Sequence, residues 1–441
     1  MLDKNYYRII KLAFPIVLAN ASVPLLGLAD TAAIGHTGSA VDLGAIALSS
    51  LVFNFVYWGF GFLRQGTTGF IAQSVGAKDK DEVEAIVFRS ILLGLLIGVL
   101  LVCLQKIIGI GALHLMSASD EIKILVEQYF YIRIWGAPAT LITFSILGTL
   151  IGMGWTKDLL FIQLFLNGLN VLLNIVFVVG LNMGVEGIAL GTVLSEVFTL
   201  FLALFLLFKR MDLKSPLQRC KVLFNRIVER GKLIALFRVN GDIMIRTLAL
   251  LSGFAWFANQ GAKFGDEVLA ANHVLLQFVS LSAFFLDGYA HVGEMLTGQA
   301  YGARNKTLFL REVKQSTVLA GLTSVVLASI IWMFSDVFIS LLTVDKEVRA
   351  LASQHSGFAA VYVLFSFVAF QLDGVFIGVT RSREMRNATL IALSVFISSG
   401  LLLTIYYGNA GLWIAFIGYV ICRALALGAY YPAIIRDITQ R

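Results

Sequence analysis

The stretch KRMDLKSPLQRCKVLFNRIVERGK (209–232) is the longest polar segment of a chain that is otherwise strongly apolar. Of the 441 residues, 58% are hydrophobic and 14% are charged, and the mean hydropathy is +0.85. A soluble domain has roughly 25% charged residues. This composition excludes an ordinary soluble enzyme, a disordered chain and a nucleic-acid-binding domain. The segment is either a solvated loop or a loop with an amphipathic surface helix.

Apolar runs on both sides of this segment are long enough to cross a membrane, which takes about 20 residues for a hydrocarbon core of roughly 30 Å. Six runs precede the segment and six follow it. They are 9–33, 43–75, 84–106, 121–152, 158–180, 186–208, 232–259, 267–300, 308–342, 346–379, 387–407 and 411–434. We therefore predict an all-α polytopic membrane protein with twelve transmembrane helices.

The two halves of the chain repeat each other at an offset of 226 residues. QSVGAKDK (73–80) matches QAYGARNK (299–306), and LGTLIGMG (147–154) matches DGVFIGVT (373–380). Each half has an even number of spans, so both halves enter the membrane from the same side. The spans therefore form two six-helix lobes related by a pseudo-two-fold axis along the membrane normal, which is a transporter architecture.

The distribution of Lys and Arg predicts the orientation. If both termini are cytoplasmic, 24 of the 34 Lys and Arg residues lie on the inner side and five on the outer side. Such a bias places the richer side in the cytoplasm. We predict an N-lobe of helices 1–6 (1–208), a cytoplasmic inter-lobe loop (209–231) and a C-lobe of helices 7–12 (232–441).

Motifs for nucleotide or metal chemistry are missing from the sequence. It contains no G-x-x-x-x-G-K-[ST] phosphate loop and no H-E-x-x-H pair. No nucleophile–base or metal-ligand constellation is recognisable either. We predict a transporter and not an enzyme, with no cofactor, no metal and no nucleic-acid partner.

Polar residues inside the first half of the chain are the candidates for transport chemistry. Asp30 lies in the first span, where a carboxylate costs at least ~2.5 kcal/mol at the bilayer centre. Such a carboxyl group can bind and release a proton, or it can be a paired structural group. Pro15, in the same span, removes a backbone donor and predicts a kink that is either fixed or able to bend.

Asparagines follow one face of the fifth span. Asn167, Asn170 and Asn174 recur at i, i+3 and i+7, and Thr192 shares a face of the sixth span with Glu196. Because amides are costly in lipid, these faces should point into the helix bundle. They either join helices to each other or provide hydrogen-bond partners for Asp30.

The second half carries its own charged residues. Asp242 and Arg246 are spaced to pair within one helix at i, i+4, and Asp287 and Asp373 both occur as Leu-Asp-Gly. Three carboxylates and one arginine in apolar spans cannot all stay charged and alone. We predict a mainly paired network in the C-lobe, with a second ion site as the alternative.

Several motifs resemble those of the multidrug and toxic compound extrusion (MATE) transporters, most closely the DinF-like subfamily. They are PLLGLADTAAIGH (24–36), FLRQGTTGFIAQSVGAK (62–78), DIMIRT (242–247), LDGYAHVGEMLTGQAYGAR (286–304) and LDGVFIGVTRSREMRN (372–387). The resemblance implies twelve helices in two lobes and cation-coupled efflux of amphipathic, often cationic, drugs. It further implies a monomer in the cell inner membrane, with the lipid bilayer and small drugs as its partners.

By this resemblance, Asp30 matches the aspartate that binds the coupling ion, Pro15 matches the proline at which helix 1 bends, and Asn170, Asn174 and Thr192 match its polar partners. Relatives often have Asp at the position of Asn174. A hard cation prefers several charged oxygen ligands. The departure favours proton coupling. Sodium-coupled drug antiport is the alternative, and a lipid-precursor flippase, which has fourteen helices, is a more distant one.

Overall fold

The computed structural model describes the backbone of residues 4–35, 40–115, 119–213 and 215–440, and the side chains of residues 5–23, 41–53, 56–114, 119–213 and 215–439. Every regular element in these ranges is a helix. The elements are α1 (Lys4–Gly35), α2 (Ala40–Gly59), α3 (Phe62–Gly76), α4 (Lys80–Cys103), α5 (Gln105–Leu115), α6 (Asp120–Arg133), a 3-10 turn (Ile134–Gly136), α7 (Ala137–Met153), α8 (Thr156–Asn174), a π-helix (Ile175–Gly180), α9 (Gly184–Arg210), α10 (Pro216–Val222), α11 (Phe224–Ile227), α12 (Arg230–Ala262), α13 (Asp266–Gly302), α14 (Lys306–Leu342), α15 (Lys346–Gly378) and α16 (Ser382–Gln440).

Nine helical segments in the described part of the chain are long and apolar enough to cross a membrane. One of them, Ser382–Thr439, is interrupted at Gly408, whose φ of 56° and ψ of −134° are not helical, so it provides two crossings. The helices α1 and α12 fall outside this set, but their 32 and 33 residues are long enough to span a bilayer. Together these segments match the twelve predicted spans.

Contacts divide the chain into two compact units. One unit comprises Met1–Val17, Ala72–Lys78 and Leu236–Arg441, and the other comprises Leu18–Ile71 and Asp79–Ala235. The first unit therefore includes two short segments from the first half of the chain, and α1 contributes residues to both units. The lobe boundaries drawn from the sequence, at 208/209 and 231/232, stay a prediction.

Equivalent glycines make equivalent close contacts in the two halves. A Cβ at Gly148 of α7 would collide with the carbonyl oxygen of Arg64 in α3. A Cβ at Gly374 of α15 would likewise collide with the carbonyl oxygen of Ala290 in α13. Both the glycines and the residues they contact are separated by the offset of 226. Glycine is needed because these helix backbones approach too closely for any side chain.

A reciprocal contact joins the ends of α3 and α13 within the first unit. A Cβ at Gly76 would collide with the carbonyl oxygen of Gln299, and a Cβ at Gly302 would collide with that of Gln73. The two glutamines are equivalent residues of the repeat, and so are the two glycines. Such a self-complementary contact is what a two-fold relation between the repeats produces.

The first part of α1 packs against the C-terminal half of α13. Ile9, Ala13 and Ile16 recur at i, i+4 and i+7 and form one apolar face of the helix. This face is buried against Val292 and Met295 together with neighbouring apolar residues. The spacing of three apolar residues thus places the start of α1 in the first compact unit.

Candidate functional site

A chain of buried side-chain hydrogen bonds links α8 to α9. Asn174 donates from Nδ2 to Oδ1 of Asn170 over 2.9 Å, and Asn170 donates from Nδ2 to Oγ1 of Thr192 over 3.0 Å. Thr192 in turn donates to the carbonyl oxygen of Ile188 over 2.8 Å. Both asparagines are 1% exposed. The three predicted polar residues therefore lie together as one buried, oriented group.

Asn167, the first member of the asparagine face, links α8 to α1. Its Nδ2 donates to the Ser22 hydroxyl over 2.8 Å and to the Ser22 carbonyl over 3.1 Å. The Asn167 side chain also accepts a hydrogen bond from Gln163, one turn earlier on α8. The asparagine face thus holds the middle of α1 at one end and forms the polar chain with α9 at the other.

The two predicted functional residues of α1 lie in its helical backbone. Pro15 is buried within the helix, two residues before the first unit ends at Val17. Asp30 belongs to the same helix, but its side chain lies outside the described residues. The roles assigned to Asp30 and Pro15 remain predictions.

A buried ion pair in the second compact unit, which also contains the asparagines of α8, was not predicted from the sequence. Arg133 and Glu196 form a bidentate pair, with Nη1–Oε2 at 2.8 Å and Nη2–Oε1 at 2.5 Å. The guanidinium also lies 5.2 Å from the ring centroids of Phe53 and Tyr57. Both charges are neutralised by this pairing, so Glu196 is held by Arg133 and does not join the asparagine chain.

The ion pairs in the second half of the chain differ from those expected. Asp242 and Arg246 do not pair with each other. Arg246 binds Asp373 on α15, and Asp242 binds Arg386 on α16 over 2.6 Å. The i, i+4 pair does not form because each of the two residues binds a better-placed partner on a neighbouring helix. Asp242 also accepts a hydrogen bond from the Ser382 hydroxyl over 3.0 Å.

A second arginine changes the charge balance of this region. Arg423 lies 3.8 Å from the Asp373 carboxylate and interacts electrostatically with Asp287. With Arg386 and Arg423 included, the three predicted carboxylates are matched by three arginines. The count of one arginine for three carboxylates was therefore incomplete, because it left out Arg386 and Arg423.

In the second half of the chain, aromatic rings occupy the region that corresponds to the asparagines of α8. The ring of Trp256 meets that of Phe396 edge-on at 4.8 Å between centroids, and Phe396 lies 5.7 Å from Phe416. A Cβ at Gly400 would collide with the Trp256 ring. This cluster belongs to the apolar core of the first unit.

The repeat defines which residues are equivalent here. Because α8 and α16 begin at residues 226 apart, Phe396 and Gly400 correspond to Asn170 and Asn174. Trp256 corresponds to Asp30 by the same offset, since α1 and α12 also begin 226 residues apart.

The π-helix that follows α8 changes the offset. Beyond it, Gly184 and Gly408 share a positive φ, at 60° and 56°, and are 224 residues apart. The wider turn of a π-helix accommodates extra residues without breaking the helix. Phe416 therefore corresponds to Thr192, and the Phe396–Phe416 contact stands where the other half has an Asn170–Thr192 hydrogen bond.

Among the residues that the structure describes, no three His, Cys, Asp or Glu side chains are grouped as ligands for a metal ion.

Comparison with known proteins places the chain in context. The family model described as MatE matches residues 15–176 and again residues 244–421, once in each half. DNA damage-inducible protein F of Escherichia coli (strain K12) is 33% identical over 420 residues, which cover 95% of this chain and 90% of that protein. The probable multidrug resistance protein NorM of Thermotoga maritima is 25% identical over 424 residues, with 95% and 90% covered.

A crystal structure of MATE in the straight conformation has a TM-score of 0.87 with this chain. It is 21% identical in sequence, and 98% of this chain and 96% of that one are covered. This likeness confirms the predicted fold of twelve helices in two lobes.

Proposed function

The chain belongs to the MATE family of membrane transporters, which are not enzymes, and from this premise we propose that it exports amphipathic, cationic drugs from the cytoplasm in exchange for protons. Asp30 carries the proton in this proposal. Asn170, Asn174 and Thr192 are its polar partners, and the transporter alternates between two states that open to opposite sides of the membrane.

The main support for this assignment comes from the other half of the repeat. Trp256, which corresponds to Asp30, packs against the residues that correspond to Asn170 and Asn174. Two copies of one backbone arrangement present equivalent positions to each other. This arrangement supports the proposal that residue 30 of α1 faces the asparagines of α8 in the first half.

The register of α1 against α8 gives independent support. Both are odd-numbered spans of the predicted topology, so they run in the same direction. Asp30 is eight residues after Ser22, and Asn174 is seven residues after Asn167, the residue that binds Ser22. At 1.5 Å per residue these steps are about 12 Å and about 10.5 Å. These nearly equal steps support a pairing of Asp30 with Asn174 at one height in the bundle.

The chemistry of the polar group favours a proton over sodium. Asn170, Asn174 and Thr192 supply neutral donors and acceptors, and of these positions only Asp30 can carry a charge. A sodium site gains affinity from several charged oxygen ligands, whereas a single carboxyl group is enough to bind one proton. Sodium coupling remains the alternative, and Asn174→Asp is the change expected to favour it.

Bending of α1 near Pro15 links the proton to the transport cycle. Proline leaves the helix one hydrogen bond short and makes bending easier. The division of α1 between the two compact units falls two residues after Pro15. In this proposal, protonation of Asp30 removes its charge and changes how its part of α1 packs, while the first part stays with α13.

The protein acts as a monomer of the inner membrane with both termini in the cytoplasm, according to this proposal. The charge bias of the loops supports this orientation. Labelling of single cysteines with a membrane-impermeant reagent tests this orientation. The variants Tyr6→Cys and Thr439→Cys should react only when the cytoplasmic face is exposed to the reagent.

Transport by purified protein in lipid vesicles tests the coupling. A pH gradient without sodium should drive drug uptake, and Asp30→Asn should abolish it while leaving the thermal unfolding midpoint unchanged. Asp30→Glu keeps a carboxyl group and should retain part of the transport. Uptake against a gradient by Asp30→Asn, or uptake that appears only with a sodium gradient, would contradict the proposal.

A further inference from the structure

The loop between the halves folds onto α4 as two short helices. Leu223 and Ile227, on α10–α11, are buried with Ala85 of α4, and Phe88 and Cys220 pack against them. The sequence left open whether this loop contains a surface helix, and the structure shows that it does. One face of α10–α11 is thus occupied by α4.

Ion pairs fix the same loop to the start of α4. Arg219 pairs with Asp81 at 2.5 Å and with Glu84, and Arg226 pairs with Asp79 at 3.1 Å. Each exposed pair alone contributes little to stability. Acting together with the buried contacts, they set which side of the loop faces away from α4.

The α4 face that receives the loop continues as a lipid-facing surface. Phe88, Leu92 and Val99 lie on one side of this membrane span, at i, i+4 and i+11. Leu92 and Val99 are 48% and 46% exposed. An exposed apolar stripe on a transmembrane helix contacts lipid tails. The loop therefore lies on the lipid side of the bundle, below the cytoplasmic end of that stripe.

The outer side of the loop combines apolar and basic residues. Leu217, Phe224 and Val228 are 82%, 57% and 43% exposed, and Lys221 is exposed beside them. Residues 213–228 contain four basic residues and no acidic one. Apolar side chains next to basic ones are typical of a helix that lies in the interface of an anionic membrane.

We propose that α10 and α11 bind the anionic phospholipid surface of the cytoplasmic leaflet. Leu217 and Phe224 enter the boundary between headgroups and acyl chains, and Lys221 contacts lipid phosphates. Both ends of the loop are attached to membrane spans, α9 ending at Arg210 and α12 beginning at Arg230, and its packing on α4 holds it near the membrane surface. The proposal rests on the predicted orientation and is independent of the coupling ion.

Site-specific lipid quenching tests this proposal on the full chain. The native cysteines Cys103, Cys220 and Cys422 are replaced by alanine, and a bimane label is attached through Phe224→Cys. Asn225→Cys is the matched control, because this neighbouring residue is also exposed but points to a different side of α11. Each protein is placed in phosphatidylcholine vesicles that contain lipids brominated near the headgroup, with or without phosphatidylglycerol.

Quenching at position 224 should exceed quenching at 225 by about twofold when phosphatidylglycerol is present, since an interfacial helix buries its apolar face by about 5–10 Å. The excess should shrink without phosphatidylglycerol and in the charge reversal Lys221→Glu. Equal quenching at 224 and 225 overturns the proposal. So does an excess that is as large without phosphatidylglycerol, or in Lys221→Glu, as it is in the parent with phosphatidylglycerol. Transport is not measured, so failure here is distinct from failure of proton coupling.

Discussion

The hydrogen-bonded asparagines of α8 and the stacked aromatic rings of α16 occupy equivalent positions of one repeat. In the second half, Trp256 and Phe396 fill the space with aromatic rings that meet edge to face. In the first half, Asn170 and Asn174 fill it with amides that must be satisfied by one another and by α9. The backbone is shared, but at these described positions the first half has polar side chains, which are the surroundings that our proposal assigns to the proton-binding carboxyl group.

The buried ion pair of the first half shows the same contrast. Arg133 and Glu196 correspond, by offsets of 226 and 224, to Ala359 and Val420, which are buried in the aromatic core of the second half. One half has a charge pair where the other half has apolar contacts. The backbone of the repeat therefore accommodates either two paired charges or apolar side chains at these positions.

Breaking this ion pair should give the largest loss of stability. Glu196→Gln leaves the Arg133 charge buried and alone, which costs about 3–5 kcal/mol. The double change Arg133→Met with Glu196→Val copies the apolar solution of the other half and should cost clearly less than Glu196→Gln. Thermal unfolding in detergent measures both. A double variant less stable than the single one would show that the pair is not replaceable by apolar contacts.

Neutralising an aspartate in each half should separate coupling from structure. Asp373→Asn removes a carboxylate that Arg246 and Arg423 hold in place, so it should weaken transport less than Asp30→Asn and should lower stability more. The partial loss of transport should be largely relieved by also changing Arg246→Met, because one unpaired charge is then removed. Full inactivity of Asp373→Asn in a normally folded protein would reveal an obligatory ion site in the second half.

The helix 1 proline also has a counterpart, Gly241 of α12, at the offset of 226. Pro15→Ala restores a hydrogen bond of about 1 kcal/mol, which shifts a balance between bent and straight helices about fivefold. Transport should fall by a similar factor without loss of folded protein. Gly241→Ala is the control, since a Cβ there meets open space and no bend is proposed. Equal transport by Pro15→Ala and the parent would remove bending from the mechanism.

The smallest expected effect concerns two helix caps. Asp79 and Asn305 are equivalent residues that accept hydrogen bonds from Glu82 N at 3.0 Å and Leu308 N at 2.9 Å, respectively. The hydrogen bond from the Glu82 amide, aided by Arg226, holds the pKa of Asp79 below its ordinary value. The charged form therefore stabilises the fold above about pH 3.9, and this contribution is lost as the pH falls through the lower folded pKa.

Exchanging the caps tests this contrast. Asp79→Asn should cost up to about 0.5 kcal/mol at pH 7, because a half-exposed charge is screened, and the cost should vanish at low pH. Asn305→Asp should add a similar pH-dependent gain to α14. Unfolding midpoints between pH 3 and pH 7 measure both. If Asp79→Asn lowers stability by the same amount at pH 3 and at pH 7, the charge of Asp79 contributes nothing to stability.

Features set by spacing along one helix could be predicted from the sequence. The offset of 226 located Gly148 and Gly374, and the asparagine periodicity of α8 located Asn170 and Asn174, because helix geometry fixes which residues share a face. Partners on different helices could not be predicted in this way. Arg133 and Glu196 are 63 residues apart, and their pairing depends on which helices are neighbours.

The wrong pair, Asp242 with Arg246, has the same origin. Local spacing permitted this contact, but buried arginines bind whichever carboxylate gives the best geometry, here Asp373 on α15. Arg386 was not among the residues predicted for this network, but its guanidinium reaches the Asp242 carboxylate. A long flexible side chain extends beyond the level of its own backbone, and the sequence does not record this reach.

The attachment of the first residues of α1 to the second half has a consequence for synthesis in the cell. Asn5 donates hydrogen bonds to Glu312, which is 307 residues later in the chain. At about 5–20 residues per second, Glu312 leaves the ribosome on the order of 15–60 s after Asn5. Until α13 has been synthesised, the apolar face of Ile9, Ala13 and Ile16 lacks its packing partners Val292 and Met295. The newly inserted α1 must therefore be shielded by lipid or by the insertion machinery until α13 and α14 have been synthesised.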